Sequence, residues 1–150
     1  MRVVIQRVSE AEVKIENEIV GSIAHGLLVL IGIEQEDNEN DADYLIQKLT
    51  SLRIFGDENG KMNLAIKEIN GRFLVVSQFT LHASTKKGNR PSFITAARPD
   101  TAVPLYEYFT EHLRVISACD VQTGQFGADM KVKLTNDGPV TIVIDSKRKE

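Results

Sequence analysis

A mixed α/β domain with its helices on one face of the sheet is what the sequence predicts, and three observations carry that prediction. Strand-like runs dominate both ends of the chain. Two amphipathic stretches, one over Asn38–Ser51 and one from about Thr101, have helical spacing. No linker, repeat or composition shift divides the 150 residues. A chain of this length fits one domain, residues 1–150, with a sizeable core.

The elements follow in order. Arg2–Val8 alternates and begins a strand; Glu12–Ile15 and Ile19–Ile23 are short strands joined through Glu16-Asn17-Glu18, a hairpin turn. Leu27–Ile33 is a continuous β-rich run, as expected of a buried strand. In the first helix Asn38 and Asp41 form a capping pair, and Leu45, Leu49 and Leu52 share a face. Gly56-Asp57-Glu58-Asn59-Gly60 is a loop, and Phe73–Phe79 is a further strand ending in polar residues. His82–Arg98 reads as a loop rich in Ser, Thr, Gly and Lys. The second helix aligns Ala102, Leu105, Phe109, Leu113 and Ile116, with Pro104 tolerated in its first turn. Val121–Thr123 and two last runs, Lys131–Thr135 and Val140–Asp145, complete the strands, with Asn136-Asp137-Gly138-Pro139 as their connection.

Composition narrows the function classes. Hydrophobic content of 42% with 26% charged residues suits a soluble globular protein. The most apolar run, Gly26–Ile33, is too short to span a bilayer, and MRVVIQRVSE enters a strand with no leader-like pattern before it. Cys119 is the only cysteine, which rules out an internal disulfide framework and makes a reducing cytoplasm the expected location. A formal charge of −3 does not favour a nucleic-acid coat protein, yet the charge is uneven. Glu34–Asp43 holds six acidic residues and no basic one, whereas His82–Arg98 holds Lys86, Lys87, Arg90 and Arg98 and no acidic one. Such a basic segment is either solvated surface or a phosphate-binding face.

Familiar catalytic signatures are absent: there is no G-x-S-x-G, H-E-x-x-H, Walker loop or C-x-x-C. His25, His82 and His112 have no metal-like spacing with other ligands, so neither metal nor cofactor is expected. What remains is polar residues at strand ends. Ser77-Gln78-Phe79-Thr80 offers hydroxyls, an amide and strand-end N–H groups that could surround an ester oxygen, or it is an ordinary strand terminus. Thr80 has no base beside it in sequence, which makes it a weak nucleophile. Gly138-Pro139 reads from composition as a trans turn, since only about 5–6% of X–Pro bonds in folded proteins are cis.

Taken together, MRVVIQRV, LRIFGDENGKMN, VVSQFTL, KGNRPSF, GQFGADM and NDGPVT occur in an order and at separations that resemble the bacterial D-aminoacyl-tRNA deacylase family over essentially the whole chain. The resemblance implies a compact deacylase-like α/β domain with curved mixed sheets, its helices packed on one side, working as a homodimer. It implies hydrolysis of the ester joining a D-amino acid, or a mischarged glycine on alanine tRNA, to the terminal adenosine. Ser77, Gln78 and Thr80 then act at the ester, with Phe79 and Met130 lining the pocket. Gly138 and Pro139, joined by a cis bond, enter the partner's site and exclude L-amino acids through their backbone. Lys86, Lys87 and Arg90 would meet phosphates of the tRNA acceptor end. His82 and Asn89 stand where the family more often has Tyr and Arg, which bears on the pocket rim and on phosphate contacts. Two rivals share the resemblance: an editing domain of different stereochemical preference, and a non-catalytic tRNA-end-binding module. The intact N-D-G-P disfavours the first, and the retained Ser77, Gln78 and Thr80 disfavour the second.

Overall fold

Strand β1 (Arg2–Ile15) is the spine of the molecule, whose computed structural model describes residues 1–149. Its apolar residues switch faces along the strand. Val3 and Ile5 point to one side of the sheet, whereas Val8, Ala11 and Val13 join the cluster on the other. One strand can therefore serve two cores, because successive side chains alternate faces and the strand is long enough to bend between them. Local pattern splits this span into Arg2–Val8 and Glu12–Ile15; the structure joins them.

β2 (Glu18–Ile23) returns antiparallel along the second half of β1. Glu16 and Asn17 make the tight turn, both with positive φ (48° and 67°). That backbone matches the twist of the paired strands. β3 (Gly26–Gly32) pairs antiparallel with the first half of β1 and parallel with β6 (Arg72–Ser77), which in turn pairs parallel with β7 (Val121–Thr123). Along β3 and β6, Leu27, Val29, Ile31, Phe73 and Val75 face one core, and Leu28, Leu74 and Val76 face the other. The sheet curls almost into a barrel: at Gly21 of β2 an added Cβ would lie 2.8 Å from the carbonyl oxygen of Thr123 in β7. Only a residue without a side chain lets those edges approach so closely.

Helices α1 (Glu39–Ser51) and α2 (Pro99–Ser117) cover the outer face. Asn38 caps α1 as expected, accepting from Asn40 N–H at 2.9 Å, while Asp41 reaches back to Asn38 N–H at 3.0 Å. Leu45, Ile46 and Leu49 then meet Leu105, Tyr106, Phe109 and Leu113 of α2 above the sheet. Burial holds the Tyr106 hydroxyl well above the usual phenol range, and it donates to the Val75 carbonyl at 3.0 Å, tying α2 to β6. Two expectations for α2 need correction. The helix starts at Pro99, so Pro104 lies in its second turn, and Ile116 is half exposed instead of joining the core. The Met1 ammonium donates to Asp37 at 2.5 Å and to the Ser146 hydroxyl at 2.9 Å, joining the first residue and a residue near the end of the chain to the segment that leads into α1.

β4 (Phe55–Gly56) and β5 (Met62–Leu64) form a small hairpin around the expected Gly56–Gly60 loop. β8 (Lys131–Asp145) is the largest departure. The two terminal runs are one strand paired with β1, and Gly138-Pro139 is not a turn between strands. Gln6 pairs with Thr141 and Val8 with Asn136, so Arg7 alone faces the four residues Asp137–Val140. Those residues form a bulge, and the Gly138–Pro139 peptide within it is cis, where composition favoured trans.

Candidate active site

β6 ends when Gln78 N–H donates to the Ile31 carbonyl at 2.7 Å. The chain then tightens into a 3-10 turn over Phe79–His82, whose first internal bond runs from Leu81 N–H to the Gln78 carbonyl at 3.2 Å. That geometry leaves the N–H groups of Phe79 and Thr80 ahead of the first internal bond, as at any helix start. A cavity of about 260 Å³ opens beside this turn. Ser77, Gln78 and Phe79 line it together with Ile31 and Ile33 at the end of β3, and Phe126–Met130 form the opposite wall.

Met130 is placed by the backbone beneath it. Gly124, fixed by its N–H to the Val75 carbonyl at 3.1 Å, has no side chain, and an added Cβ would fall 2.5 Å from the Met130 sulfur. Phe79 is half exposed, with its ring edge-on to Phe93 at 5.1 Å. The site is thus a largely apolar slot with the polar groups of Ser77 and Gln78 at the turn, the kind of cavity that takes a small organic ligand.

Thr80 is exposed and lies just outside the cavity lining. Its hydroxyl accepts from the Gln78 amide at 2.5 Å, its one side-chain partner among the described residues. An amide is no base at neutral pH, whichever of its atoms faces the hydroxyl. Among the described residues no three of His, Cys, Asp and Glu converge as metal ligands would.

The remaining sequence candidates fall into two groups. Lys86, Lys87 and Arg90 are exposed in the loop that leaves the 3-10 turn, and Asn89 is exposed with them. The loop's neck is closed by backbone bonds between Ser84 and Ser92, at 2.8 and 2.9 Å. None of the three cations has a carboxylate partner among the described residues; by contrast Lys147 is engaged by Asp41 at 2.8 Å. His82, expected at the pocket rim, is instead buried beneath the turn and takes no part in the lining. Gly138 and Pro139 are exposed and lie outside their own chain's cavity.

Two residues brace the bulge: Arg7, which no sequence pattern singled out, and Asn136, which opens the N-D-G-P segment. Arg7 Nε donates to the Asp137 carbonyl at 2.7 Å, and its NH1 to the Ile54 carbonyl at 2.6 Å. Asn136 accepts from Val140 N–H at 2.7 Å and donates to the Val140 carbonyl at 3.2 Å, closing the bulge from inside. Nothing local distinguishes Arg7 from any strand arginine; its partner lies 130 positions away, and only strand register brings them together.

Comparison with known proteins matches residues 4–145 to the D-Tyr-tRNA(Tyr) deacylase family. The chain belongs to that family. A D-aminoacyl-tRNA deacylase of Flavobacterium psychrophilum is 59% identical over 150 residues, all of both chains. A solved structure of a c-Myc DNA unwinding element binding protein is 38% identical, with a TM-score of 0.90, covering 97% of this chain and 98% of that one. Another, described as a "probable eukaryotic D-amino acid tRNA deacylase", shares the fold at 19% identity and a TM-score of 0.82, covering 96% and 98%. The expected deacylase-like α/β fold, with a curved mixed sheet and helices on one side, is the fold found, and the expected enzyme class is that of the family.

Proposed function

We propose that this protein hydrolyses the ester of D-aminoacyl-tRNA, and of glycine mischarged on alanine tRNA, releasing free amino acid and tRNA. The terminal adenine enters the slot between Phe79 and Met130. The ester carbonyl lies against the N–H groups of Phe79 and Thr80, which stabilise the oxyanion as it develops. Ser77 and Gln78 orient the ester from the end of β6. Thr80 lacks a base, which supports a water nucleophile assisted by the 2′-hydroxyl of the terminal ribose.

One observation carries the stereochemical part of the reading. Gly138 and Pro139 stand exposed on a braced bulge, outside the cavity of their own chain, where a second copy can meet them. In a homodimer, Gly138 and Pro139 of the partner subunit would hold the substrate's α-amino group. An L-side chain is then driven into that backbone and a D-side chain away from it, so rejection is steric. Glycine has no side chain to reject. The cations Lys86, Lys87 and Arg90 neutralise acceptor-end phosphates without reading bases. The enzyme works where tRNA is charged, in the cytoplasm; among the described residues no helix is long and apolar enough to cross a membrane.

The deciding assay compares D-tyrosyl-, L-tyrosyl- and glycyl-tRNA. Hydrolysis of the D and glycyl esters, with the L ester slower by about 10²-fold or more, is expected from a clash worth about 3 kcal/mol. Rapid hydrolysis of the L ester, or none of the D ester, would remove this reading.

A further inference from the structure

His82 takes no part in the chemistry above, yet it stands where three segments meet. It ends the 3-10 turn, its ring is buried, and Nδ1 lies 3.2 Å from Glu34 Oε1. Its Nε2 is the one buried side-chain nitrogen or oxygen without a partner among the described residues. An orphaned buried polar atom is destabilising, so an apolar side chain would serve better here if filling space were all that was required.

Glu34 follows β3, and its backbone bridges Ala96. Beside that bridge, Gln35 N–H donates to the Thr95 carbonyl at 3.3 Å and Ala97 N–H to the Ile33 carbonyl at 2.8 Å. Thr95 closes the circuit, its hydroxyl donating to the His82 carbonyl at 3.3 Å. Imidazole, carboxylate, bridge and hydroxyl therefore form one loop of contacts. It joins the 3-10 turn to the end of β3 and to the segment that enters α2. The floor is equally tight: an added Cβ on Gly32 would lie 2.9 Å from His82 Cδ2. A second charged group packed against the turn is Arg2 of β1, which is paired with Asp145 and donates to the Leu81 carbonyl at 2.7 Å.

From these contacts we infer that His82, acting through Glu34, is the positioning residue of the candidate catalytic turn. It holds the N–H groups of Phe79 and Thr80 beside the pocket lined by Ile31, Ile33 and Ala97, because its partner Glu34 directly follows Ile33 and bridges Ala96, next to Ala97. The kinetic side of this inference rests on the deacylase reading; the positioning itself does not.

The test uses His82→Leu and Glu34→Ala, which remove the pair, beside His82→Asn and Glu34→Gln, which keep an amide where the nitrogen or oxygen stood. With D-tyrosyl-tRNA, the first two should lose about 10–100-fold in kcat, as small misplacements of catalytic groups do, with KM within about twofold. The amide-bearing variants should stay within about threefold of the parent in kcat. Amide exchange followed by NMR gives a readout independent of activity. In the first two variants the Leu81 and Ala83 amides should exchange at least about tenfold faster, while those of β6 hold their protection. Unchanged kcat and unchanged exchange in His82→Leu and Glu34→Ala would overturn the inference. So would equal losses in all four variants with β6 opening as well, since that marks general destabilisation. A parent enzyme inert towards D-tyrosyl-tRNA would overturn the functional reading alone, and the exchange data would still decide the role of His82.

Discussion

Thr80 has the hydroxyl a covalent mechanism would need, and its surroundings deny it the proton acceptor. Its one side-chain partner among the described residues is an amide that donates to it. Thr80→Ala should therefore leave measurable turnover, within about tenfold of the parent, consistent with loss of a positioning group instead of a nucleophile. A substrate ending in 2′-deoxyadenosine should lose most of its turnover in the same single-turnover assay, and the reverse pattern would restore Thr80 as nucleophile. Arg7 acts from a distance on the other candidate device. Its guanidinium is the charged donor to the carbonyl that precedes Gly138, and a bond of that kind contributes roughly 1.5–3 kcal/mol. Arg7→Ala should lower stability by about 2 kcal/mol in urea titration and narrow the ratio of D- to L-ester hydrolysis. An unchanged ratio would mean that Asn136 alone holds the bulge.

At the scale of elements, the parallel pairing of β3 with β6 places both the Ser77 end of β6 and the Ile31 wall at the pocket. That pairing begins at Gly26, where an added Cβ would lie only 1.9 Å from the Arg72 carbonyl oxygen. Backbone on both sides cannot yield as a flexible side chain would. Gly26→Ala should cost about 3 kcal/mol or more, placing it among the large effects of single substitutions, and thermal unfolding would measure it. β8 illustrates the opposite relation between pattern and element. Its alternation on either side of Asn136-Asp137-Gly138-Pro139 is legible, and it reads as two strands. A bulge and a turn demand similar residues, so only the partner strand reveals that both halves pair with the same β1.

The whole molecule presents the Gly138-Pro139 backbone, proposed above to read chirality, and its pocket on surfaces that one chain does not bring together. Activity should therefore depend on a second copy. β8 pairs only with β1 among the described residues, which leaves its far edge open, and Val143 on it is 61% exposed. Val143→Glu would bury a charge in any interface formed there, at a cost of several kcal/mol. The expected result is a monomer by sedimentation, folded by circular dichroism, with D-ester hydrolysis down by about 10²-fold, the loss equivalent to about 2.7 kcal/mol. A folded monomer with full turnover would remove the cross-subunit arrangement.

Much of this architecture was legible in advance, because amphipathic period, caps and turn residues are local properties. The Asn38–Asp41 cap, the Glu16–Asn17 turn and the apolar faces of both helices depend on residues within a few positions of each other. The S-Q-F-T and N-D-G-P segments were legible as unusual polar clusters, and as a family signature when read with the other blocks. What the sequence by itself determined, then, was where the two helices and most strand segments lie, most of their apolar faces and the segments that could carry chemistry. Tertiary structure alone decided that β8 is one strand, that Arg7 braces the residue before Gly138, that His82 lies under the turn beside Glu34, and that Gly138-Pro139 stands away from its own pocket. Each of those joins residues dozens of positions apart, and such meetings depend on register and sheet curvature, which no local pattern encodes.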